Sequence, residues 1–364
     1  MKILWFTWKD IEHPNKGGAE IVNHEIARRL VEEGHELVML VARGKGQEAT
    51  STISGYQVRR GGNRVTVYLW AAWHYLRNLR GWADLSLEEV NTVPFFTQFY
   101  VRTRRVLIIY QLSRQVWFYQ MFFPLSYVGY WLEHAYMWLL RKSKVVTISK
   151  SSKQDLVKQG FAPGNIGIMR VGADAHRLKT LPKPGPFRTI VSFGTIRTMK
   201  QTLDQVQAFE IAREKLPDLR LVIAGAPEGA YGEEVDAYIA NSRFKDDIQM
   251  LGRVSEAKRR TVMQAADVIV VTSVKEGWGL IVTEAANLGT PAVVYDRDGL
   301  RDSAFYGKGG WIVAPSPEAM GRKLIKVAKN PKEYAQIRKQ AHELAKDVTF
   351  ANSYKDFKRI AQID

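Results

Sequence analysis

The sequence predicts an α/β fold built from two doubly wound domains. Three observations carry the prediction. Short β-branched apolar runs alternate with stretches of helical spacing along the chain. The alternation pauses at the proline-rich "LPKPGPFR" (181–188) and then restarts. At 364 residues the chain is long enough for two domains of ordinary size. The expected division is a first domain over 1–180, a second over 181–345, and a last helix within 346–364 that crosses back to the first.

The elements follow in order. "KILWFT" (2–7) reads as a first strand. The loop "WKDIEHPNKGGAE" (8–20) leads into a helix, "EIVNHEIARRLVEEG" (20–34), that stops at Gly34. "HELVMLVA" (35–42) is the next strand, which completes a βαβ unit. "YQVRRGG" and "VTVYLW" (65–70) read as short strands, "WHYLRNLR" as a helix, "DLSLEEV" as strand or loop, and "RRVLIIYQ" and "KVVTIS" as buried strands. "KSSKQDLVKQGF" (150–161) is a helix that a serine caps. After the proline run come strand "TIVSFGT", helix "TLDQVQAFEIAREKLP", strand "LRLVIAG", a helix near 233–243, strand "IQMLG" and helix "SEAKRRTVMQAA". "DVIVVTS" (267–273) and "AVVYD" (292–296) are buried strands on either side of helix "GLIVTEAANL", which Gly289 and Pro291 terminate.

That last unit holds the most informative stretch, "VKEGWGLIVTEAANLGTP" (274–291). Glu276 falls in the loop after a strand and Glu284 about a turn into the following helix. Gly277 and Gly279 flank Trp278 between them. In a parallel sheet, ligands bind where strands end and helices begin. Both carboxylates could therefore reach one ligand, while the helix start offers free N–H groups to an anion.

Composition narrows the field. The chain has no cysteine, which excludes disulfides, thiolate metal sites and a cysteine nucleophile and fits a reducing compartment. "MKILWFTW" is too short for a signal peptide, and no run approaches the roughly 18 apolar residues of a membrane span. His13, His24, His35, His74, His134 and His176 show no metal-ligand spacing, so no metal is expected. The net charge of +16 calls for an acidic partner: phosphorylated ligand, anionic lipid or nucleic acid. Between 64 and 142, "YLWAAWHYLRNLRGW", "FFTQFYVRTRR", "WFYQMFFP" and "YWLEHAYMWLLRK" interleave aromatic and basic residues. Two readings stand: a membrane-surface patch, or core aromatics with solvated arginines. A single-stranded nucleic acid would suit the same interleaving, but no recognition motif accompanies it, so nucleic acid is not the expected partner.

With these residues in place, the chain resembles the retaining glycosyltransferases of family four, which have the GT-B fold: two Rossmann-like domains facing across a cleft. Glu276 and Glu284 match that family's E-x7-E motif. "GGAE" (17–20) is similar to its N-terminal glycine loop, "GTIRTMKQ" (194–201) to its Gly-Arg-Leu-x-x-x-Lys-Gly segment, and "LVIAG" and "MLGRVSE" (250–256) to two further donor loops. "DRDGLRDS" (296–303) resembles the segment after the E-x7-E unit.

The resemblance implies a nucleoside-diphosphate sugar, linked to UDP or GDP, as donor. Lys200 would neutralise the diphosphate with the N–H groups near Gly277, Gly279 and Leu280. Glu284 would take the ribose hydroxyls and Glu276 the transferred sugar. Gly194 and the backbone after Gly252 would border the nucleotide, and Gly17 and Gly18 would let backbone approach it. Two departures matter. Thr195 stands where relatives carry arginine, leaving Arg197 or Arg253 to compensate. Tyr110 stands where many relatives carry histidine near the anomeric carbon, and tyrosine is a poor base near neutral pH. The expected activity is metal-independent hexose transfer with retention to a glycan, a lipid-linked sugar or a small molecule. The expected location is the cytoplasm or the inner face of the cell membrane. A sugar-nucleotide epimerase, or a binding protein of weakened catalysis, would share the fold.

Overall fold

A computed structural model describes residues 1–173 and 176–364, which form two α/β units. The first, Met1–Gly172 with Phe350–Asp364, is built on eight strands: β1 (Lys2–Phe6), β2 (Glu36–Val41), β3 (Thr50–Ile53), β4 (Tyr56–Arg60), β5 (Leu85–Glu89), β6 (Arg104–Ile108), β7 (Lys144–Thr147) and β8 (Ile166–Ile168). They lie in the order β3-β4-β2-β1-β5-β6-β7-β8, parallel throughout except for the β3–β4 hairpin. The central strand β1 is sealed on both faces, with Ile3, Leu4, Trp5 and Phe6 fully buried. That explains why it reads as a continuous apolar run and not as an alternating one.

The second unit, Ala173–Thr349, carries β9 (Thr189–Phe193), β10 (Arg220–Ala224), β11 (Ile248–Met250), β12 (Val268–Val271), β13 (Ala292–Tyr295) and β14 (Gly310–Val313). Their order is β11-β10-β9-β12-β13-β14, all parallel. Each sheet therefore has one place where successive strands stop adding on one side and begin on the other. In the first unit it lies between β1 and β5, and in the second between β9 and β12.

Two expectations change. Residues 65–70, read as a strand, open a helix, Val67–Asn78, that buries Val67, Ala71 and Tyr75. The apolar face repeats every four residues, a stripe the local alternation concealed. The division between units falls at 172/173 and not at 180/181. Ala173 N–H donates to Val348 O (3.3 Å) and Leu178 N–H to Asn287 O (3.1 Å), which ties this segment into the second unit. The proline run also lies inside that unit, where Arg338 donates to Pro182 O at 2.7 Å. The last helix, Phe350–Ala361, belongs to the first unit: Phe357 stacks on Trp5, and Ile360 packs on Gly167 so closely that a Cβ there would lie 2.5 Å from it.

Candidate donor site

Lys200 and Glu276, singled out in the second half of the sequence, meet at the switch point of the second unit. The chain leaving β9 passes Gly194 (φ +123°) and Thr195, both exposed, and then makes a turn of 3-10 helix, Thr198–Lys200. Gly225 leaves room for this loop, since a Cβ there would meet Gly194 O at 1.8 Å. Thr272, just past β12, fastens the turn by donating to Lys200 O (2.6 Å) and Gln201 O (3.0 Å). Val274 N–H adds a bond to Met199 O at 3.0 Å. Lys200 is thereby held beside the loop that follows β12, and its ammonium donates to the Glu276 carboxylate.

Both partners are largely buried, with 29% and 22% of the side chains exposed. Burial alone would raise the Glu276 carboxyl, but the Lys200 charge, with Arg197 further off, holds it below the usual range. Glu276 is therefore an anion at neutral pH. Arg197 itself is exposed, as is Arg253.

The loop carrying Glu276 is locked to the next element. Gly299 N–H donates to Glu276 O at 3.1 Å, an approach only glycine permits, because a Cβ on Gly299 would lie 2.5 Å from that oxygen. The nearly buried Lys275 ammonium pairs with Asp298, and Arg301 bridges Asp296 (2.8 Å) and Asp298 (3.2 Å). Gly279, at φ +91°, caps the helix Leu280–Asn287. The indole N–H of Trp278 is used on Thr283 Oγ1 (2.9 Å), and its ring sits edge-on to Phe305. Trp278 thus holds the loop, and Gly277 and Gly279 on either side of it are buried.

Glu284, on that helix, accepts from Arg259 at 2.6 Å, and Arg259 also pairs with Glu256 at 3.2 Å. Arg259 and Glu256 belong to the helix Glu256–Ala265, which follows the loop of Gly252 (φ +62°) and Arg253. His176, Arg259, Arg260 and Glu284 line a small pocket there. Each glutamate of the motif thus has its own cation. Lys200 and Glu276 were expected together. Arg259, Lys275 and Thr272 were not, because nothing in spacing links a residue on one helix to a carboxylate on another.

In the first unit, Gly17 and Gly18 are exposed at the start of the helix Gly18–Glu32. Gly17 has φ −130° and room for a Cβ, so the fold itself does not demand glycine there. The Tyr110 hydroxyl donates to Asn23 Oδ1, and burial pushes it well above its ordinary value. It is a neutral donor at working pH and not a base. Among the described residues no three His, Asp or Glu side chains gather as a metal site. No helix among them is long and apolar enough to cross a membrane.

Two family models match this chain: Glycosyltransferase Family 4 over residues 16–177 and Glycosyl transferases group 1 over 176–344. Among curated relatives, a glycogen synthase of Mycobacterium tuberculosis is 28% identical over 49% of this chain and 44% of its own length. The chain thus spans less than half of that relative. A GDP-mannose:cellobiosyl-diphosphopolyprenol alpha-mannosyltransferase of Xanthomonas oryzae pv. oryzae is 24% identical over 78% of this chain and 76% of its own. Among solved structures, sucrose-phosphate synthase from Thermosynechococcus elongatus superposes with a TM-score of 0.78 at 14% identity, over 99% of this chain and 98% of that one. Anabaena Alr3699/HepE in complex with UDP-glucose superposes at 0.73 and 16%, over 100% and 98%. The two family models lie end to end across nearly the whole sequence and the two units share the fold of these enzymes, so the chain belongs to the family 4, group 1 glycosyltransferases of the GT-B type.

Proposed function

We propose that the protein transfers a hexose, with retention and without a metal ion, from a UDP- or GDP-linked sugar to an acceptor hydroxyl. The observation that carries this is the pairing of Lys200 with Glu276 beside the Gly277–Gly279 helix start. A lone buried ammonium or carboxylate would be costly, and here each satisfies the other. An arriving diphosphate competes for Lys200 and is met by the N–H groups of the helix start. Glu276, released, then accepts hydroxyls of the sugar, and Glu284 those of the ribose. In the chemical step the bond from C1 to the phosphate oxygen breaks as the bond from the acceptor oxygen to C1 forms on the same face. The departing phosphate oxygen takes the acceptor's proton, and Lys200 stabilises the charge that grows on it. The relative from Xanthomonas is named for GDP-mannose, and HepE was solved with UDP-glucose. Neither name decides the base here.

The test is a panel of nucleotides and sugar nucleotides scored by thermal shift without added metal. A ligand of the folded state at a hundredfold excess over its dissociation constant adds about 2.7 kcal/mol. At least one of UDP, GDP or their sugars is expected to stabilise the protein, and the Lys200→Ala, Glu284→Ala pair to abolish the effect. If none stabilises it while single-stranded nucleic acid does, the reading fails.

We infer further that the acceptor is lipid-linked and that the first unit works against an anionic membrane surface. The aromatic-basic stretch divides between the two readings of the sequence. Phe95, Tyr75, Tyr136 and Met137 are core, whereas Phe122, Phe123, Trp131 and Trp138 are 74%, 77%, 65% and 59% exposed. On the helix Leu125–Leu140 the one acid, Glu133, is buried, accepting from the N–H groups of Ser113 (2.7 Å) and Arg114 (2.6 Å) and from the Trp117 indole (3.1 Å). The outward face is left aromatic and uncharged, and Arg141 lies over the Trp138 ring at its end.

A further inference from the structure

The switch point of the first unit holds a polar cluster that none of the steps above uses. The connections of β1 and β5 leave in opposite directions, so their carboxyl ends border the kind of crevice in which open α/β sheets bind ligands. Glu89 is the last residue of β5 and only 3% exposed. Its Oε2 accepts from Thr7 Oγ1, at the end of β1, and from Asn23 Nδ2, on the helix Gly18–Glu32, both at 2.6 Å. Asn23 in turn takes the Tyr110 hydroxyl, which lies just beyond β6. Three elements thus fix one rotamer of one carboxyl group. Oε1 accepts no hydrogen bond among the described residues, yet it is not sealed from solvent.

A carboxyl group in this position works against the fold. Lys9, the neighbouring cation, is engaged with Glu20 at 3.6 Å, and Glu20 faces Glu89 with its own charge. Gly17, exposed before the helix that carries Asn23, has room for a Cβ, which would lie 3.4 Å from Glu20 Oε2. An oriented, nearly buried carboxyl with one oxygen unspent and open to solvent is arranged to receive a donor from outside the protein.

We propose that Glu89 is a ligand-binding residue of the first unit, accepting a hydroxyl of a sugar acceptor on Oε1 while Thr7, Asn23 and, through Asn23, Tyr110 position it. This rests on the glycosyltransferase reading and names the residue of the acceptor subsite. A pH dependence follows from the same surroundings. Burial and the Glu20 charge push the Glu89 carboxyl up to about 7, against Thr7, Asn23 and Lys9. The other groups that face it are Tyr110, held neutral, and Tyr68 on the helix Val67–Asn78, which Arg64 faces in turn. Ionised Glu89 accepts the hydroxyl in a charge-assisted bond, whereas protonated Glu89 is a neutral and weaker acceptor, so binding strengthens as pH rises through neutrality.

The experiment is saturation-transfer NMR with methyl α-D-glucopyranoside and methyl α-D-mannopyranoside as probes, on the full chain and on Glu89→Gln, well above and well below neutral pH. UDP and GDP are read in the same samples. The glutamine keeps an oxygen for Thr7 and Asn23, and a melting curve confirms that the variant folds. Expected is saturation of at least one glycoside by the wild type above neutrality, with loss of that signal below neutrality and in Glu89→Gln, nucleotide binding being unaltered. Equal saturation in Glu89→Gln, or none in the wild type at either pH, overturns the proposal. Absence of nucleotide binding in the wild type strikes instead at the function proposed above, and the glycoside signals still report on Glu89.

Discussion

Lys200 and Glu276 pair with each other, and this gives single substitutions distinct signatures. In the proposed reaction Lys200 meets the charge that grows on the leaving diphosphate, so Lys200→Ala should lower turnover more than ground-state donor affinity. An equal loss of affinity with turnover intact at saturation would contradict that role. Glu284→Ala should weaken donor binding by about 1–3 kcal/mol, the scale of losing a charged hydrogen-bond partner. Unchanged affinity by calorimetry would remove it from the ribose. Glu89 makes the converse prediction for stability. Its folded value, about 7, lies above the ordinary 4.5. Below about pH 4.5 both states carry the proton and no penalty arises. As pH climbs toward 7 the unfolded chain ionises first and wild-type stability falls, reaching a loss of about 3 kcal/mol at most. Glu89→Gln should therefore be more stable than wild type above neutrality, with the gain fading as pH drops to the ordinary range. Urea titrations across that range check it, and a pH-independent difference would refute it. Spacing singled out Glu276 and Glu284. It was silent on Arg259 and Glu89, whose partners come from other elements and depend on the tertiary fold.

At the scale of elements, buried parallel strands were the most legible feature, since a strand covered on both faces must be apolar at every position. Helices with a mixed face were harder. Residues 65–70 alternate like a strand, but Val67, Ala71 and Tyr75 mark one helical stripe and the exposed Leu69 and Trp73 the other side. The outward face of Leu125–Leu140 could not be told from core in the sequence, because aromatic residues on opposite sides of a helix look alike until a neighbour covers one side. That face sets a further prediction. Phe122→Glu with Trp131→Glu should leave thermal stability within about 0.5 kcal/mol, as exposed positions do. The pair should abolish pelleting with anionic liposomes at low salt, which the wild type is expected to show. The basic side chains give the association its salt sensitivity within a Debye length. Liposome binding unchanged in the double variant would assign the exposed aromatics another partner.

Over the whole molecule one plan recurs: a parallel sheet, one reversal of strand order, and interacting polar side chains beyond the carboxyl ends of the two strands that flank it. Lys200 and Glu276 occupy that place in the second unit, Thr7 and Glu89 in the first. The two-unit architecture was legible because the strand–helix rhythm is carried by many residues, each contributing a little. The boundary was not, because the proline run, although mostly exposed, belongs to the second unit, to which Arg338 ties it through Pro182 O. Membership of the last helix in the first unit yields a test at this scale. Phe357 is fully buried and stacks on Trp5 of β1, with ring centroids 6.1 Å apart. Phe357→Ala should cost about 3–5 kcal/mol by removing that side chain and leaving a cavity. Since the helix Phe350–Ala361 packs on the helix Gly18–Glu32 and on β7 and β8, the loss should fall on the first unit. Calorimetry should show one transition moved to lower temperature, while the transition that nucleotide stabilises stays in place. If Phe357→Ala lowers the nucleotide-sensitive transition to the same extent, the helix stabilises both units alike and its assignment to the first is refuted.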